Sequence, residues 1–444
     1  MGCRGLFQRY PILLLMGSVR FRWVYCQLDN LRRCMPSSIR KALNELPVTL
    51  DDTYERILQN IPKQKWQHAH RLFQCMVAAL RPLRVEELAE IFAVGFGPNA
   101  APNLVEEWRP ENPEEAVFSA CSTLITIITD SDADSDVDSY AESYAESSKI
   151  VQFSHFSVKE YLTSDRLQTS DVPNIRQFYV SLEPANANMA RVCLAVLLQL
   201  EDKVDEERLA AFPLSLYAAR NWVDHAKFEN VASEIQDAME HLFNPMKPHF
   251  QTWISIHDVD MGYKQSMENV NESDNESLST PLYYAALCGF SGLAKHLIAT
   301  YAVDVNEKLY GGSTPLLAAS RMGHVDVAHV LLDHGADANA QTKASVMPLH
   351  WASYKGHLKF VQLLLEHGAT VNGTDYGLPP LHLAVRSGNL EIVQLLLDHG
   401  ADVHLWVGGG LTPLQEATGA GDRDIVQLLL DRGAAGRIEE GDSD

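Results

Sequence analysis

The sequence predicts a mainly α protein in which a helical arm precedes an α-solenoid built from short helical repeats. Three observations support this prediction. Residues 42–260 mostly follow a helical apolar pattern, two β-branched runs interrupt that pattern, and one short phrase recurs five times after residue 278. At 444 residues the chain is too long for one hydrophobic core, so we expect two or three domains.

The arm shows three helix patterns and then two β-branched runs. Thr49 can cap the first helix, and Pro62 stops it. The helix patterns cover about 50–61, 64–80 and 84–94, and the strand patterns cover 123–129 and 150–153. Three helices followed by two strands is the element order of a winged-helix module, which we predict for residues 49–165. Residues 166–265 return to a helical pattern and predict a helical domain.

One short phrase recurs along the C-terminal part of the chain. Its proline returns every 32 to 34 residues, and a glycine follows each proline by eight residues. A Leu-rich segment follows, and then a second stop such as His334-Gly-Ala-Asp337. The five prolines are Pro281, Pro315, Pro348, Pro380 and Pro413. Such a fixed period predicts a repeat architecture rather than independent helices.

Each part of the phrase has a structural reason. A threonine such as Thr314 can cap a helix, and proline suits the first turn because its missing N–H would have no partner there. Small residues such as Ala352 let this first helix pack closely, and the glycine ends it in a left-handed turn. The second helix carries an apolar stripe, for example Val361 and Leu364. The period and phrase are those of the ankyrin repeat, so we predict five ankyrin repeats over residues 278–436.

Polar segments separate the predicted folded parts. Residues 130–148 hold seven carboxylates and no basic residue, which predicts a solvated, disordered loop between the two strands. A calcium loop is the alternative because the aspartates alternate, but the central glycine and the closing glutamate are both missing. Residues 266–277 are predicted to be the linker into the first repeat, and residues 437–444 an acidic tail.

Several phrases of the arm stand together in one order. They are Phe21–Leu28, Leu31–Cys34, Leu50–Ile57, Arg81–Leu88, Phe153–Leu162 and Tyr217–His225. In this order they resemble the segment after the NTPase domain in fungal NACHT–ankyrin proteins, a STAND class of signal-transducing ATPases similar to animal NOD-like receptors. The resemblance covers roughly residues 21–226 and 278–436. It implies a NACHT-associated helical linker at 21–48 and a sensing role for the repeats.

The chain departs from that family in one respect. A NACHT ATPase domain precedes the Phe-Arg-Trp phrase in the family, but residues 1–20 do not resemble one and G-x-x-x-x-G-K-[ST] occurs nowhere in the chain. Without that glycine loop and its lysine nothing cradles a phosphate, so we expect no nucleotide and no cofactor. The resemblance also implies that His155 contacts an ADP phosphate. The alternative for His155 is a hydrogen-bonded histidine beside a strand end.

No catalytic or metal site is predicted. The chain contains no G-x-S-x-G, no H-E-x-x-H, and no G-x-G-x-x-G that opens a helix, and its seven cysteines include no C-x-x-C pair. Glu86 and Glu87 should be solvated charges on a helix surface. Five histidines recur beside the glycines of the repeats, where we expect them to cap backbone groups: His324, His334, His357, His367 and His399. We therefore predict that the protein is not an enzyme.

Charge and cysteine usage limit the partners and the compartment. A formal charge of −22 disfavours nucleic acid, and the third predicted helix, which would enter a DNA groove, carries Glu86, Glu87 and Glu90 without a basic residue. No window approaches the 18 apolar residues of a membrane span, and we expect neither a signal peptide nor acylation in residues 1–20. Scattered cysteines are typical of a reducing compartment, so we expect a cytoplasmic protein without membrane contact.

The repeats predict a concave surface that can bind another protein. It should consist of the hairpin tips and the two residues before each glycine that ends a first helix. The helix ends supply Arg321, Met322, Tyr354, Lys355, Arg386 and Ser387, and the tips supply Tyr310, Lys343, Tyr376, Trp406 and Leu411. Exposed aromatic and arginine side chains contribute much of the energy of protein interfaces. For Trp406, packing under the next tip is an equal alternative.

Three basic residues in this set predict the chemistry of the partner. Arg321, Lys355 and Arg386 stand at the ends of first helices in three successive repeats, so they should form a basic stripe. From residue 278 onward the chain holds 10 basic and 18 acidic side chains, a net of −8, which makes such a stripe unusual. We hypothesise a protein partner with an acidic segment, and one candidate segment is the chain's own 130–146 loop, acting as an autoinhibitor.

The sequence favours a protein–protein interaction scaffold or sensor over an enzyme. In the family that the arm resembles, this part of the chain would be the sensing and scaffolding half of a NACHT–ankyrin receptor. The alternative is a regulated NTPase switch whose P-loop domain is missing from this gene model. A third possibility is an inert remnant.

Overall fold

The structure is a computed structural model of the chain. It describes residues 49–95, 102–121, 123–129, 149–200, 205–260, 279–373, 378–405 and 411–434. The chain divides into two compact units, residues 1–238 and 239–444, and both are mainly helical where they are described, as predicted. Several predicted segments lie outside the described residues: 1–20, 21–48, the acidic loop 130–148, the linker 266–277 and the tail 437–444.

The first unit begins with the predicted capped helix. Thr49 Oγ1 accepts a hydrogen bond from Asp52 N at 3.0 Å, and Asp52 Oδ2 accepts one from Thr49 N at 3.3 Å, so two orphan donors of the first turn are satisfied. The helices of this unit are α1 (Leu50–Gln59), α2 (Trp66–Ala78), α3 (Val85–Ile91), α4 (Pro113–Cys121), α5 (Phe156–Leu162), α6 (Asp165–Gln168), α7 (Pro173–Arg176), α8 (Leu182–Leu197), α9 (Glu206–Ala211), α10 (Ser215–Ala226) and α11 (Val231–Glu234).

A small antiparallel sheet accompanies these helices. The strands are β1 (Leu83–Arg84), β2 (Val94–Gly95), β3 (Asn103–Leu104), β4 (Ile125–Thr129) and β5 (Lys149–Phe153). β4 and β5 are the two predicted β-branched runs, and they pair with Ile127 opposite Val151. β5 also pairs with β1, which gives the order β1-β5-β4, while β2 and β3 form a separate pair.

The element order of this unit differs from the predicted order in two respects. The short strand β1 precedes α3 and joins the sheet, although a two-residue strand leaves no periodic pattern in the sequence. A hairpin (β2 and β3) and α4 stand between α3 and β4, where no element was predicted. The winged-helix module at 49–165 stays a prediction.

Two glutamates of α3 are buried, contrary to expectation. Arg81 donates to both carboxylate oxygens of Glu87, at 2.8 and 2.6 Å, and Glu87 is only 1% exposed. Arg109 donates to Glu90 at 2.6 Å in the same way. The expectation that Glu86 and Glu87 are both solvated was therefore wrong for Glu87, because a buried carboxylate needs a paired cation that the sequence pattern did not reveal.

The second unit consists of two preceding helices and five helix pairs. Helix α12 (Gln236–Leu242) spans the division between the units, and α13 (His249–Ile256) follows it. The first helices of the pairs are α14 (Pro281–Cys288), α16 (Pro315–Met322), α18 (Pro348–Lys355), α20 (Pro380–Arg386) and α22 (Pro413–Ala420). The second helices are α15 (Ser291–Tyr301), α17 (Val325–Asp333), α19 (Leu358–Glu366), α21 (Leu390–Asp398) and α23 (Arg423–Asp431).

The five pairs stack in sequence order. Each first helix packs against the next first helix, and each second helix against the next second helix. Alanines such as Ala319 and Ala352 are fully buried between neighbouring helices, as predicted. Gly323 ends α16 with φ +79°, and a Cβ there would lie 2.8 Å from the His357 ring of the next repeat. Only glycine fits both the left-handed backbone and that close approach.

The predicted capping role of the repeat histidines is confirmed. Each of the five rings has a nitrogen within hydrogen-bond distance of a backbone carbonyl oxygen, either in the preceding repeat or one turn earlier in the same helix. The contacts are His324 with Leu287 at 3.1 Å, His357 with Arg321 at 3.4 Å, His334 with Val330 at 2.7 Å, His367 with Leu363 at 2.9 Å and His399 with Leu395 at 2.8 Å. These histidines therefore bond backbone carbonyl groups in the last turns of the helices.

The folded part of the second unit begins before residues 266–277, which were predicted to be the linker into the first repeat. Phe250 and Trp253 of α13 pack on Tyr284 of α14, with ring centroids 5.5 and 6.1 Å apart. All three side chains are buried. A stack of repeats exposes an apolar face at its end unless another element covers it, and α13 covers this one.

Candidate protein-binding surface

The first helices of the repeats present one side of the stack, which we call the inner face. We define it as the fourth, seventh and eighth positions counted from the proline that starts each first helix. In α14 these positions are buried, whereas in α18 they are Trp351, Tyr354 and Lys355, and the last two are exposed. The middle of the stack therefore offers the inner face to solvent, and its beginning does not.

An aromatic and basic cluster lies at the centre of the inner face. Tyr354 is 44% exposed, and its ring meets the half-buried Trp351 edge to face, with centroids 6.2 Å apart. Lys355 Nζ lies 5.5 Å from the centroid of the Tyr354 ring. Met322, on the preceding helix, is 45% exposed. Flat aromatic area beside a cation is the composition that interface hot spots favour.

Arg386 adds a second exposed cation on the next helix. It occupies the seventh position of α20, as Tyr354 does in α18, and α18 and α20 are packed neighbours. Glu416 of α22 is half-buried; burial raises the pKa of its carboxyl group, while the nearby Arg386 charge acts in the opposite direction. Glu416 therefore lies close enough to influence the guanidinium, but it leaves Arg386 open to solvent.

The predicted basic stripe does not include Arg321. Its side chain is only 9% exposed and pairs with the carboxylate of Asp260, which is 3% exposed. Asp260 Oδ2 also accepts a hydrogen bond from the Tyr283 hydroxyl at 2.7 Å. Lys355, moreover, occupies the eighth position of its helix, whereas Arg321 and Arg386 occupy the seventh. The stripe of three cations is therefore wrong, and two exposed cations remain.

The other predicted residues fall into two groups. Ser387 stabilises the turn between α20 and α21. Its Oγ donates to Ala384 O at 3.0 Å and accepts from Asn389 Nδ2 at 2.7 Å. Lys343 and Leu411 are exposed at the tips. The side chain of Tyr310, and the residues Tyr376 and Trp406, lie outside the described part of the chain.

His155 has the hydrogen bonds of a capping residue. It follows β5 and precedes α5, and its Nδ1 lies 2.6 Å from Ser157 Oγ and accepts from Ser157 N at 3.3 Å. This agrees with the interpretation as a hydrogen-bonded histidine beside a strand end. The phosphate contact that the family resemblance implies stays a prediction.

Two contributors to the inner face were not identified from the sequence. Trp351 stands inside the repeat phrase at the fourth position of its helix, and that position alone does not predict exposure because Tyr284, its counterpart in α14, is buried. Asp260 lies 61 residues before Arg321, and no pattern in the sequence joins them. Its only indication was an Asp-Val-Asp triplet directly after a helix pattern.

The described residues contain no helix long and apolar enough to cross a membrane. Within the same residues no group of three or more His, Cys, Asp or Glu side chains could hold a metal ion.

The helix pairs, their buried alanines and their glycine-ended first helices define a class of protein with ankyrin repeats. Family models for ankyrin repeats match this part of the chain. A model for three copies of the repeat matches residues 253–342 and 338–405, and a model for many copies matches residues 381–430. The first match begins within α13, which agrees with the packing of that helix on the first repeat. Ankyrin repeats indicate a role in protein–protein interaction.

A curated protein from a fungus is similar to a larger part of the chain. It is the azaphilone pigments biosynthesis cluster protein L of Monascus ruber, which is 32% identical over 299 residues. The alignment covers 65% of this chain and 60% of that protein, so the chain spans less than two thirds of its relative's length.

Proposed function

We propose that this chain is a protein-recognition module that binds a partner protein on the inner face of its ankyrin repeats and carries out no catalysis. The cluster of Trp351, Tyr354 and Lys355 carries the proposal. Exposed apolar and aromatic area costs solvation free energy unless a partner covers it, and this area lies on a rigid helical scaffold.

The proposal places the module in a NACHT–ankyrin type of receptor, in the cytoplasm, as its sensing and scaffolding part. The support is the order of phrases shared with that family, which includes Arg81–Leu88 and Tyr217–His225. We also propose that the partner presents an acidic segment, because Lys355 and Arg386 are exposed on the same face. Nucleic acid is not the proposed partner, since a net charge of −22 repels phosphate.

The alternative is a regulated NTPase switch whose P-loop domain is missing from this gene model, and the genomic sequence upstream of Met1 separates the two. An in-frame segment with G-x-x-x-x-G-K-[ST] in that sequence would favour the NTPase. Its absence there would favour the recognition module.

Quantitative co-purification tests the proposed surface. The full chain carries an affinity tag in cells of its source organism, and the proteins retained by the wild type are compared with those retained by Tyr354→Ala. Removing a central aromatic side chain should cost about 2 kcal/mol, so partner recovery should fall about thirtyfold at subsaturating concentration.

The matched control is Lys359→Ala, an exposed residue on the second helix of the same repeat. Its recovered proteins should equal those of the wild type. Equal recovery by the wild type, Tyr354→Ala and Lys359→Ala would mean that the inner face does not bind the partner.

A further inference from the structure

The inner face already binds one acidic tripeptide of its own chain. Asp258, Val259 and Asp260 directly follow α13 and lie against the first two repeats. The hydroxyl of Tyr284 donates to Asp258 Oδ1 at 2.5 Å, and the hydroxyl of Tyr283 donates to Asp260 Oδ2 at 2.7 Å. Arg321 completes the contact through its ion pair with Asp260.

The three contacts come from three repeat positions, and Tyr283 is the third residue of α14. Tyr284 is the fourth residue of α14, and Arg321 is the seventh residue of α16, the next first helix. The same combination of an aromatic residue and an arginine occurs again two repeats later. Trp351 is the fourth residue of α18, and Arg386 is the seventh residue of α20. Because successive first helices pack in the same manner, the second pair should be spaced like the first.

The second arrangement differs from the first in its exposure. Arg321 is buried under Asp260, but Arg386 and the neighbouring Lys355 are exposed. Among the residues that the structure describes, no carboxylate lies within ion-pair distance of Lys355 or Arg386. Two cations and an aromatic pair therefore stand open in a region whose net charge is −8. A ligand with carboxylates would find complementary charge here.

We propose that the inner face at Trp351, Tyr354, Lys355 and Arg386 binds a partner segment with two carboxylates separated by one residue, held in a turn like the one that carries Asp258 and Asp260. This proposal rests on the proposed function and specifies its ligand. One carboxylate pairs with the Arg386 guanidinium and the other with Lys355 Nζ. The residue between them packs on the Tyr354 ring.

The turn form of the ligand follows from the segment that is already bound. Val259 and Asp260 lie in a turn, and Asp260 N donates a hydrogen bond to Asp258 Oδ1 at 2.9 Å. From this turn the carboxylates of Asp258 and Asp260 both reach polar groups of the first two repeats.

A peptide in trans tests the proposal on the full-length chain. The probe is a fluorescein-labelled decapeptide with the sequence of residues 255–264, Ser-Ile-His-Asp-Val-Asp-Met-Gly-Tyr-Lys, and the control peptide has Asn at both Asp positions. Binding is measured by fluorescence anisotropy at low and high NaCl. The Asp peptide should bind and lose affinity as salt rises, and the Asn peptide should bind at least about tenfold more weakly.

Three variants locate the bound probe. Arg386→Ala should weaken binding about tenfold, the effect of losing one charge-assisted hydrogen bond, and Lys355→Ala about threefold to tenfold. Lys359→Ala, on the second helix, should leave the affinity unchanged. Circular dichroism checks that each variant keeps its helix content, which is expected because all three side chains are exposed.

The outcomes separate this proposal from the proposed function. Equal binding of the Asp and Asn peptides, or equal affinity of Arg386→Ala and the wild type, overturns the acidic site. If no probe binds while Tyr354→Ala still loses its cellular partner, the carboxylate chemistry is wrong and the inner face remains the binding surface. If the probe binds as expected and Tyr354→Ala keeps all partners, the site exists but does not perform the proposed recognition.

Discussion

The ion pair between Arg321 and Asp260 should be among the most sensitive points of the second unit. Both side chains are almost fully buried, and the Tyr283 hydroxyl satisfies a further oxygen of the carboxylate. Removing one member of a buried pair leaves the other charge without compensation, which costs about 3–5 kcal/mol. Asp260→Asn and Arg321→Met should each destabilise the unit by about that amount.

The double variant separates the interaction between Asp260 and Arg321 from the interactions of each residue with its surroundings. Asp260→Asn combined with Arg321→Met removes both charges, so it should cost less than the sum of the two single changes. The difference, a coupling of about 2 kcal/mol or more, measures the interaction itself. Tyr283→Phe removes one hydrogen bond to a charged group and should cost about 1.5–3 kcal/mol.

Native-state hydrogen exchange followed by mass spectrometry measures these losses of stability in individual segments of the chain. Each single change should lower the protection of amides in residues 315–322 more than about 100-fold, because 3 kcal/mol corresponds to that factor. Residues 66–78 of the first unit provide an internal control and should keep their protection. If the protection of these amides fell by less than about fivefold in either single variant, the conclusion that the pair is desolvated and structural would be refuted.

Two further predictions concern the repeats and the buried histidines. In urea unfolding, Gly323→Ala should lower the free energy of unfolding by at least about 1 kcal/mol more than Gly335→Ala does. Both glycines have a positive φ, but only Gly323 faces the His357 ring. Equal losses of stability would contradict that close approach. Burial lowers the pKa of His225 and of His350 to about 4, so the unfolded chain binds protons that the folded chain does not. Stability in urea unfolding should therefore be intact above pH 6.5 and fall by about 3 kcal/mol per histidine as the pH approaches 4, and His350→Gln should remove the part of this loss that belongs to His350.

The repeats were predictable because their determinants are local. A proline at the start of a helix and a glycine eight residues later set the length of each first helix without reference to the rest of the chain, as the left-handed Gly323 illustrates. The fixed period then required the pairs to stack. The exposure of Tyr354 and Arg386 followed from their positions within the repeat, so it was predictable as well.

The errors occurred where a distant partner decides the environment of a charge. Arg321 has the same repeat position as Arg386, but Asp260 covers it from 61 residues earlier in the chain. Glu87 has the helical position of a surface residue, but Arg81 and the surrounding fold bury it. A periodic pattern predicts which side of a helix faces outward, and it cannot predict what a separate segment places there.

Site-specific photo-crosslinking tests the central claim most directly. A photoreactive phenylalanine derivative replaces either Tyr354 on the inner face or Gln362, an exposed residue on the second helix of the same repeat. After irradiation of living cells, position 354 should yield a discrete covalent adduct with a partner protein, and position 362 should yield none. Adducts of equal intensity from both positions, or from position 362 alone, would contradict recognition by the inner face.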